Sequence, residues 1–147
     1  MGAEASKFSR ILVPVTGRPA DDEAMKVACR LIMKKNQGKI FAVSVIAVER
    51  NLPLDAEIRP EIKRAEGILS HMEDVAKEQG CFIETELLQA REVGPAIVDE
   101  AKERDVDLIL MGVTYKRRFG EFSLGNVVPY VLKNSDCNVL FYHQVDN

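Results

Sequence analysis

No C-x-x-C pair, no G-x-S-x-G nucleophile elbow and no long apolar stretch near the start occur in this 147-residue chain. Each absence removes a class of protein. The first apolar run, "ILVPV" at 11–15, is five residues long, too short for a signal-peptide core or a membrane span. The expectation is a cytoplasmic protein with no membrane insertion. Cys29, Cys81 and Cys137 are odd in number and widely spaced, so neither a disulfide framework nor a zinc site is indicated. They read as small core hydrophobes. Lys and Arg (20) do not exceed Asp and Glu (23), and the net charge of -3 argues against nucleic-acid binding, which needs a basic face.

Catalytic and phosphate-loop patterns are also missing. There are two histidines, His71 and His143, read as a surface helix residue and a strand-end residue. The acidic stretches "DDE" (21–23) and "EIKRAEG" (61–67) read as exposed helix faces and partners of helix dipoles. No acid/base couple or metal-ligand set stands out, so an enzyme is not expected. G-x-G-x-x-G is absent, and G-x-x-x-x-G-K-[ST] fails because Gly112 is followed five residues later by Arg117.

What is present is alternation. With 46% hydrophobic and 29% charged residues the chain has the composition of an ordinary globular domain. We expect one domain over 10–147 behind a flexible leader at 1–9. "MGAEAS" fits the N-myristoylation pattern through Gly2 and Ser6, but that pattern is short and a disordered leader is the plainer reading. Strands are expected at 11–15, 39–48, 81–88, 106–113 and 138–143. Four are apolar almost throughout, as strands covered on both faces are. "CFIETELL" (81–88) alternates Glu84 and Glu86 with apolar residues and reads as a half-exposed edge.

Four helices fill the gaps. The first carries Ala24, Val27, Ala28, Leu31 and Ile32 on one stripe and is expected to end at Gly38. The second runs from near Pro60 to Gly80, with Ile62, Ala65, Leu69, Met72 and Ala76 on one face. The third starts at "GPAIVDEAKERD" and the fourth spans about 123–134. β-α-β alternation with right-handed crossovers gives an α/β fold, an open doubly wound parallel sheet with helices on both faces. "ERNLPLDAEIR" (49–59) is long for a connection and reads as a surface loop or flap.

In such a sheet ligands bind beyond the carboxyl ends of the strands, where strand order reverses. If the first and fourth strands are neighbours, "PVTG" (14–17) and "MGVTYKRRFG" (111–120) meet there. Gly125 and Asn126 open the last helix, with Ser123 as a candidate N-cap, and the N–H groups of 124–127 would form an anion site. The alternative is that Gly125 only allows close packing against the sheet. Lys116, Arg117 and Arg118 could meet phosphate or form a solvated tip. Phe119 and Phe122 could clamp a base or form a lid's own small core, and Tyr115 is open in the same way.

Taken in order, "RILVPVTG", "KIFAVSVI", "VDLILMGV" and "SLGNVVPYVLKNSDCNVLFYH" resemble the universal stress protein family over residues 10–143. The resemblance implies a five-stranded sheet of order 3-2-1-4-5, of the adenine nucleotide alpha hydrolase-like type. It also implies a homodimer through the last strand (138–143), which would cover an open sheet edge. The family's ATP-binding branch carries G-x-x-G, nine residues, then G-[ST]. Here Gly112 and Gly125 match the outer glycines, Tyr115 replaces the middle one, and Asn126 replaces Ser or Thr. The family's Pro-x-Asp becomes Pro14, Val15, Thr16, without the carboxylate.

By that resemblance Val13, Pro14, Val15, Thr16, Val45, Met111, Gly112, Tyr115, Gly125, Asn126 and Val127 line a crevice for ATP or another adenine nucleotide, with Mg²⁺ if ATP, or another small anion. A tyrosine ring is large enough to occupy phosphate or ribose space where glycine left it open. Two functions follow: a stress-response regulator that binds adenine nucleotide, or a nucleotide-free dimeric interaction module. "ERNLPLDAE" looks like a segment of universal stress domains attached to membrane transporters, so the module could regulate a transporter.

Overall fold

The computed structural model describes residues 8–32, 38–114, 116–118, 121–123 and 125–144. Strands β1 (Arg10–Pro14), β2 (Lys39–Ala47), β3 (Ile83–Ala90), β4 (Leu108–Val113) and β7 (Asn138–His143) form one sheet in the order β3-β2-β1-β4-β7. All four pairings are parallel. Counting β7 as the fifth strand, this is the order 3-2-1-4-5. Helices α1 (Pro19–Leu31), α2 (Arg59–Glu78), α3 (Val93–Glu103) and α4 (Val127–Asn134) make the crossovers.

Strand alternation divides the core into two layers. Ile11 and Val13, Ile40 and Ala42, and Leu108 and Leu110 pack with Ala24, Met25 and Ala28 of α1 and Leu69, Met72 and Ala76 of α2. Their neighbours Leu12, Phe41, Val43, Ile109 and Met111 pack on the opposite face with Ile97, Val98 and Ala101 of α3 and Val131 of α4. Successive side chains of a strand point to opposite faces, so runs apolar at every position are what a sheet covered on both sides needs. β3 is the exposed edge expected from its glutamates: Glu84 pairs with Lys39 at 3.6 Å and Glu86 with Arg104 at 3.2 Å.

Several boundaries differ from expectation, each for a local reason. α1 ends at Leu31, well before Gly38, because Ile32 turns extended and pairs with Phe8. Phe8 and Ser9, assigned by the sequence to the leader, are tied to the domain, Ser9 through its N–H and hydroxyl donating to Asp107. β3 starts at Ile83, because the Cys81 N–H donates to the Ala76 carbonyl at 2.9 Å and so closes the end of α2. Phe82 is left 89% exposed beside that turn.

The 49–59 segment is not a free flap. The Gln89 amide donates to the carbonyls of Leu54 and Ala56, both at 2.9 Å, and the Arg91 guanidinium to those of Glu49 and Leu52 at 2.6 and 2.9 Å. Two side chains at the end of β3 thus tie down a connection whose backbone would otherwise depend on water. The basic stretch after β4 is not an irregular loop either. β5 (Lys116–Arg118) and β6 (Glu121–Ser123) pair as a short antiparallel hairpin.

Candidate functional site

A cavity of about 290 Å³ opens at the carboxyl ends of β1, β2 and β4. Its strand side is formed by Pro14, Val15, Thr16, Val43, Val45, Met111, Gly112 and Val113. Thr114 and Arg18 lie at its margins, and the first turns of α3 and α4 close it through Val93, Ile97, Val127 and Val128. The cavity lies where the chain reverses direction across the sheet, since β1 pairs with β2 on one side and β4 on the other.

Of the residues named from the sequence, Pro14, Val15, Thr16, Val45, Met111, Gly112, Gly125, Asn126 and Val127 line this cavity. Val13 does not. It is fully buried on the α1/α2 face, as alternation along β1 requires once Leu12 and Pro14 point the other way. Tyr115 lies outside the described residues, as does Phe119. Arg18, Val43, Val93, Ile97 and Val128 also line it and were not expected, whereas Val113 and Thr114 belong to the 111–120 stretch expected to reach the crevice. Val93 and Ile97 sit on α3, remote in sequence from any glycine motif, and only the packing of α3 over the sheet brings them there.

Two glycines shape the site for different reasons. A Cβ on Gly112 would overlap the Ala20 carbonyl oxygen, a backbone atom of α1 that cannot move aside cheaply. Gly112 is therefore required for β4 to approach the start of α1. Gly125 has φ +70°, and among the described residues nothing lies within 4 Å of an added Cβ, so backbone conformation calls for glycine there. The described residues give no support to the close-packing alternative for Gly125.

α4 begins at Val127, not Ser123. Ser123 is in β6, and the helix cap is Asn126, whose side chain makes no capping bond. The first helical bond runs from the Tyr130 N–H to the Asn126 carbonyl. N–H groups before it have no partner within the helix, and Pro129 has none to offer. Among the described residues the donors on Val127 and Val128 therefore have no partner, and both residues line the cavity at the positive end of the helix dipole.

The β1–α1 connection is arranged the opposite way. Asp21, expected as an exposed dipole partner, is only 2% exposed. Its Oδ2 accepts the N–H groups of Thr16, Gly17 and Arg18 at 2.9, 2.7 and 3.1 Å. Burial pushes the Asp21 carboxyl above the usual carboxylate range, while the three donors pull it back. Those donors are spent on the protein's own carboxylate, and Asp21 does not line the cavity. It therefore does not restore the acid missing at Thr16.

Other titratable groups fall away from the cavity. His71 Nε2 lies 2.9 Å from Asp22 Oδ2 on the far face of the sheet, and that carboxylate raises the His71 pKa above its ordinary value. His143 ends β7. Among the described residues no group of His, Cys, Asp and Glu is placed to hold a metal ion, and no helix is long and apolar enough to cross a membrane.

The model of the universal stress protein family matches residues 7–143. Universal stress protein MJ0531 of Methanocaldococcus jannaschii is 32% identical over 139 residues, 90% of this chain and 81% of that protein. Among solved structures, hypothetical protein MJ0577 superposes with a TM-score of 0.72 at 26% identity, covering 95% of this chain and 99% of its own. The universal stress protein of Archaeoglobus fulgidus in complex with dAMP gives a TM-score of 0.67 at 20% identity, covering 91% and 97%. A family match across nearly the whole domain, together with this sheet order, shows that the chain belongs to the universal stress protein family.

Proposed function

We propose that this chain is a small cytoplasmic stress-response regulator that binds an adenine nucleotide, or a related small anion, in the crevice above β1 and β4. The observation that carries the reading is the cavity of about 290 Å³ whose wall combines apolar β2 and β4 side chains with the open N–H groups at the start of α4. Val43 and Val45 offer a flat apolar surface for a base. Val127 and Val128 offer donors for an anionic group. The dAMP held by the A. fulgidus relative belongs to the same ligand class. Mg²⁺ would arrive with the phosphates if the nucleotide is ATP. The role is binding and not turnover.

Thermal unfolding with and without millimolar Mg-ATP, AMP and cyclic nucleotides tests it. A ligand at about 100 times its dissociation constant adds ~2.7 kcal/mol. That raises the midpoint of a domain this size by several degrees. No shift with any of them would sink the nucleotide reading.

A second reading is a nucleotide-free interaction module, which could act on a transporter. It is favoured by the size of the cavity, at the lower end of the ~300–1,000 Å³ usual for ligand pockets. It is favoured too by the replacement of the middle glycine with Tyr115. Gain of AMP binding in Tyr115→Gly would identify that side chain as the block.

In either reading we propose a homodimer through β7. That strand is a sheet edge, and Leu140 is 43% exposed on it, with Leu132 64% and Tyr130 37% exposed on α4. Light scattering after size exclusion should give a dimer mass, and Leu140→Lys should shift it to monomer. A monomeric parent protein would contradict this.

A further inference from the structure

A second groove, of about 470 Å³, lies apart from the mouth of the crevice. It lies on the other side of the β1–α1 connection, between the start of α1 and the middle of α2. Arg18, Arg64, Gly67, Ile68, His71 and Met72 form most of its wall. We propose that this groove is a second anion site, sharing Arg18 with the crevice, that takes a phosphate monoester or similar tetrahedral dianion, held by the Arg18 and Arg64 guanidinium groups and the His71 ring.

Three independent observations lead there. The first is charge. In a chain of net charge -3, two arginines and a histidine line one groove, and its two acids are already engaged. Asp21 turns its Oδ2 to three backbone N–H groups, and Asp22 lies 2.9 Å from His71. Arg64 uses Nη2 to reach the Thr16 carbonyl at 3.0 Å, which fixes the guanidinium at the groove with its other donors to spare. Arg18 makes no ion pair among the described residues. Two guanidinium forks match the oxygens of a tetrahedral dianion better than those of a single carboxylate.

The second is Gly67. It sits inside α2, where glycine destabilises a helix relative to alanine, yet it has helical-range φ and nothing within 4 Å of an added Cβ. Among the described residues neither backbone strain nor packing accounts for glycine there. A ligand approaching the helix closely does, because the missing side chain widens the groove between the two arginines' elements.

The third is the environment of His71. Asp22 of α1 faces it, Asp74 and Glu78 of its own helix act at longer range, and Arg18, Arg64 and Asp21 share the groove. Asp22 dominates and favours the charged ring, which keeps a second N–H after Nε2 has met the carboxylate.

The test uses the full chain, labelled with ¹⁵N and titrated with sodium sulfate and inorganic phosphate against sodium chloride at matched ionic strength. Residue-resolved amide shifts are the readout, because sulfate raises unfolding midpoints generally by exclusion from protein surface. The proposal expects saturable shifts at Gly67, Ile68 and His71 with sulfate and phosphate but not chloride. The sulfate response should weaken several-fold as pH rises past the native His71 value, which lies above the ordinary 6.5. Sulfate stays a dianion throughout, so the change reports the protein. Arg64→Gln should weaken the response at least tenfold. Gly67→Leu should abolish it while leaving the unfolding midpoint unchanged or higher, since the space is open and leucine is the better helix former. Shifts that chloride reproduces, that fail to saturate, or that persist in both variants would overturn the second site.

Discussion

The two connections that meet at the top of the sheet, β1 to α1 and β4 to α4, handle their backbone donors in opposite ways. In the first, Asp21 folds back and takes the N–H groups of Thr16, Gly17 and Arg18. In the second, Asn126 caps nothing with its side chain, and Val127 and Val128, whose N–H groups have no partner among the described residues, line the cavity. One connection is closed by its own anion and the other has room for a foreign one. On the proposed function, the difference sets which connection's backbone meets the nucleotide: α4 rather than α1.

The largest effect on this arrangement should come from Gly112→Ala, which drives a methyl group into the Ala20 carbonyl and pushes β4 away from α1. We expect a loss of about 1–3 kcal/mol of stability in urea unfolding, typical of overpacking against a rigid neighbour. An unchanged midpoint would mean that α1 yields where the close contact says it cannot. Next is Asp21→Ala, which leaves three donors without their shared acceptor and should cost about 2 kcal/mol.

Asp21→Asn should be milder and carries a pH signature. With its native pKa raised above 3.8, the folded state holds the Asp21 proton more tightly than the unfolded chain does. Its contribution to stability therefore falls as pH rises from the ordinary carboxylate value through the raised native one. The asparagine variant should lack that fall, and parallel urea series across the acid range would show it. Gly125→Ala should cost about 1 kcal/mol, because φ +70° strains alanine while the methyl group meets none of the described residues.

The smallest expected effect lies away from both connections. Asp22→Asn should lower the His71 pKa toward its ordinary value, read by NMR of the ring. Because the native value is raised, the small stabilisation from this exposed pair is present below 6.5 and lost as pH rises through the native value. A His71 titration unmoved by Asp22→Asn would assign the shift to Asp74 and Glu78 instead.

Much of the fold was readable before the structure, because parallel strands buried on both faces leave unbroken apolar runs and helix stripes repeat on one face. Ile11 to Pro14 and Leu108 to Met111 are such runs, and Glu84 with Glu86 marked the edge. The family resemblance supplied the strand order. Less was readable at the site. "DDE" looks like any charged helix start, and nothing in its pattern says that Asp21 turns inward while Asp22 and Glu23 do not. That depends on a connection short enough for residues 16–18 to curl over one oxygen. The β5–β6 hairpin has three-residue strands of mostly polar composition, below the length at which alternation can be seen. Val13 was grouped with the crevice by the family resemblance, although the two-residue period of a strand assigns it to the opposite layer.

The central claim is that the β4–α4 connection, and not β1–α1, receives an adenine nucleotide. An AMP titration followed by ¹⁵N chemical shifts tests it most directly. The account predicts saturable shifts at Gly125, Val127 and Val128, with Val45 following, and these persist in the Arg64→Gln variant, where the second groove is weakened. Crevice shifts that vanish in Arg64→Gln, or no saturable shift in the crevice at all, would contradict it.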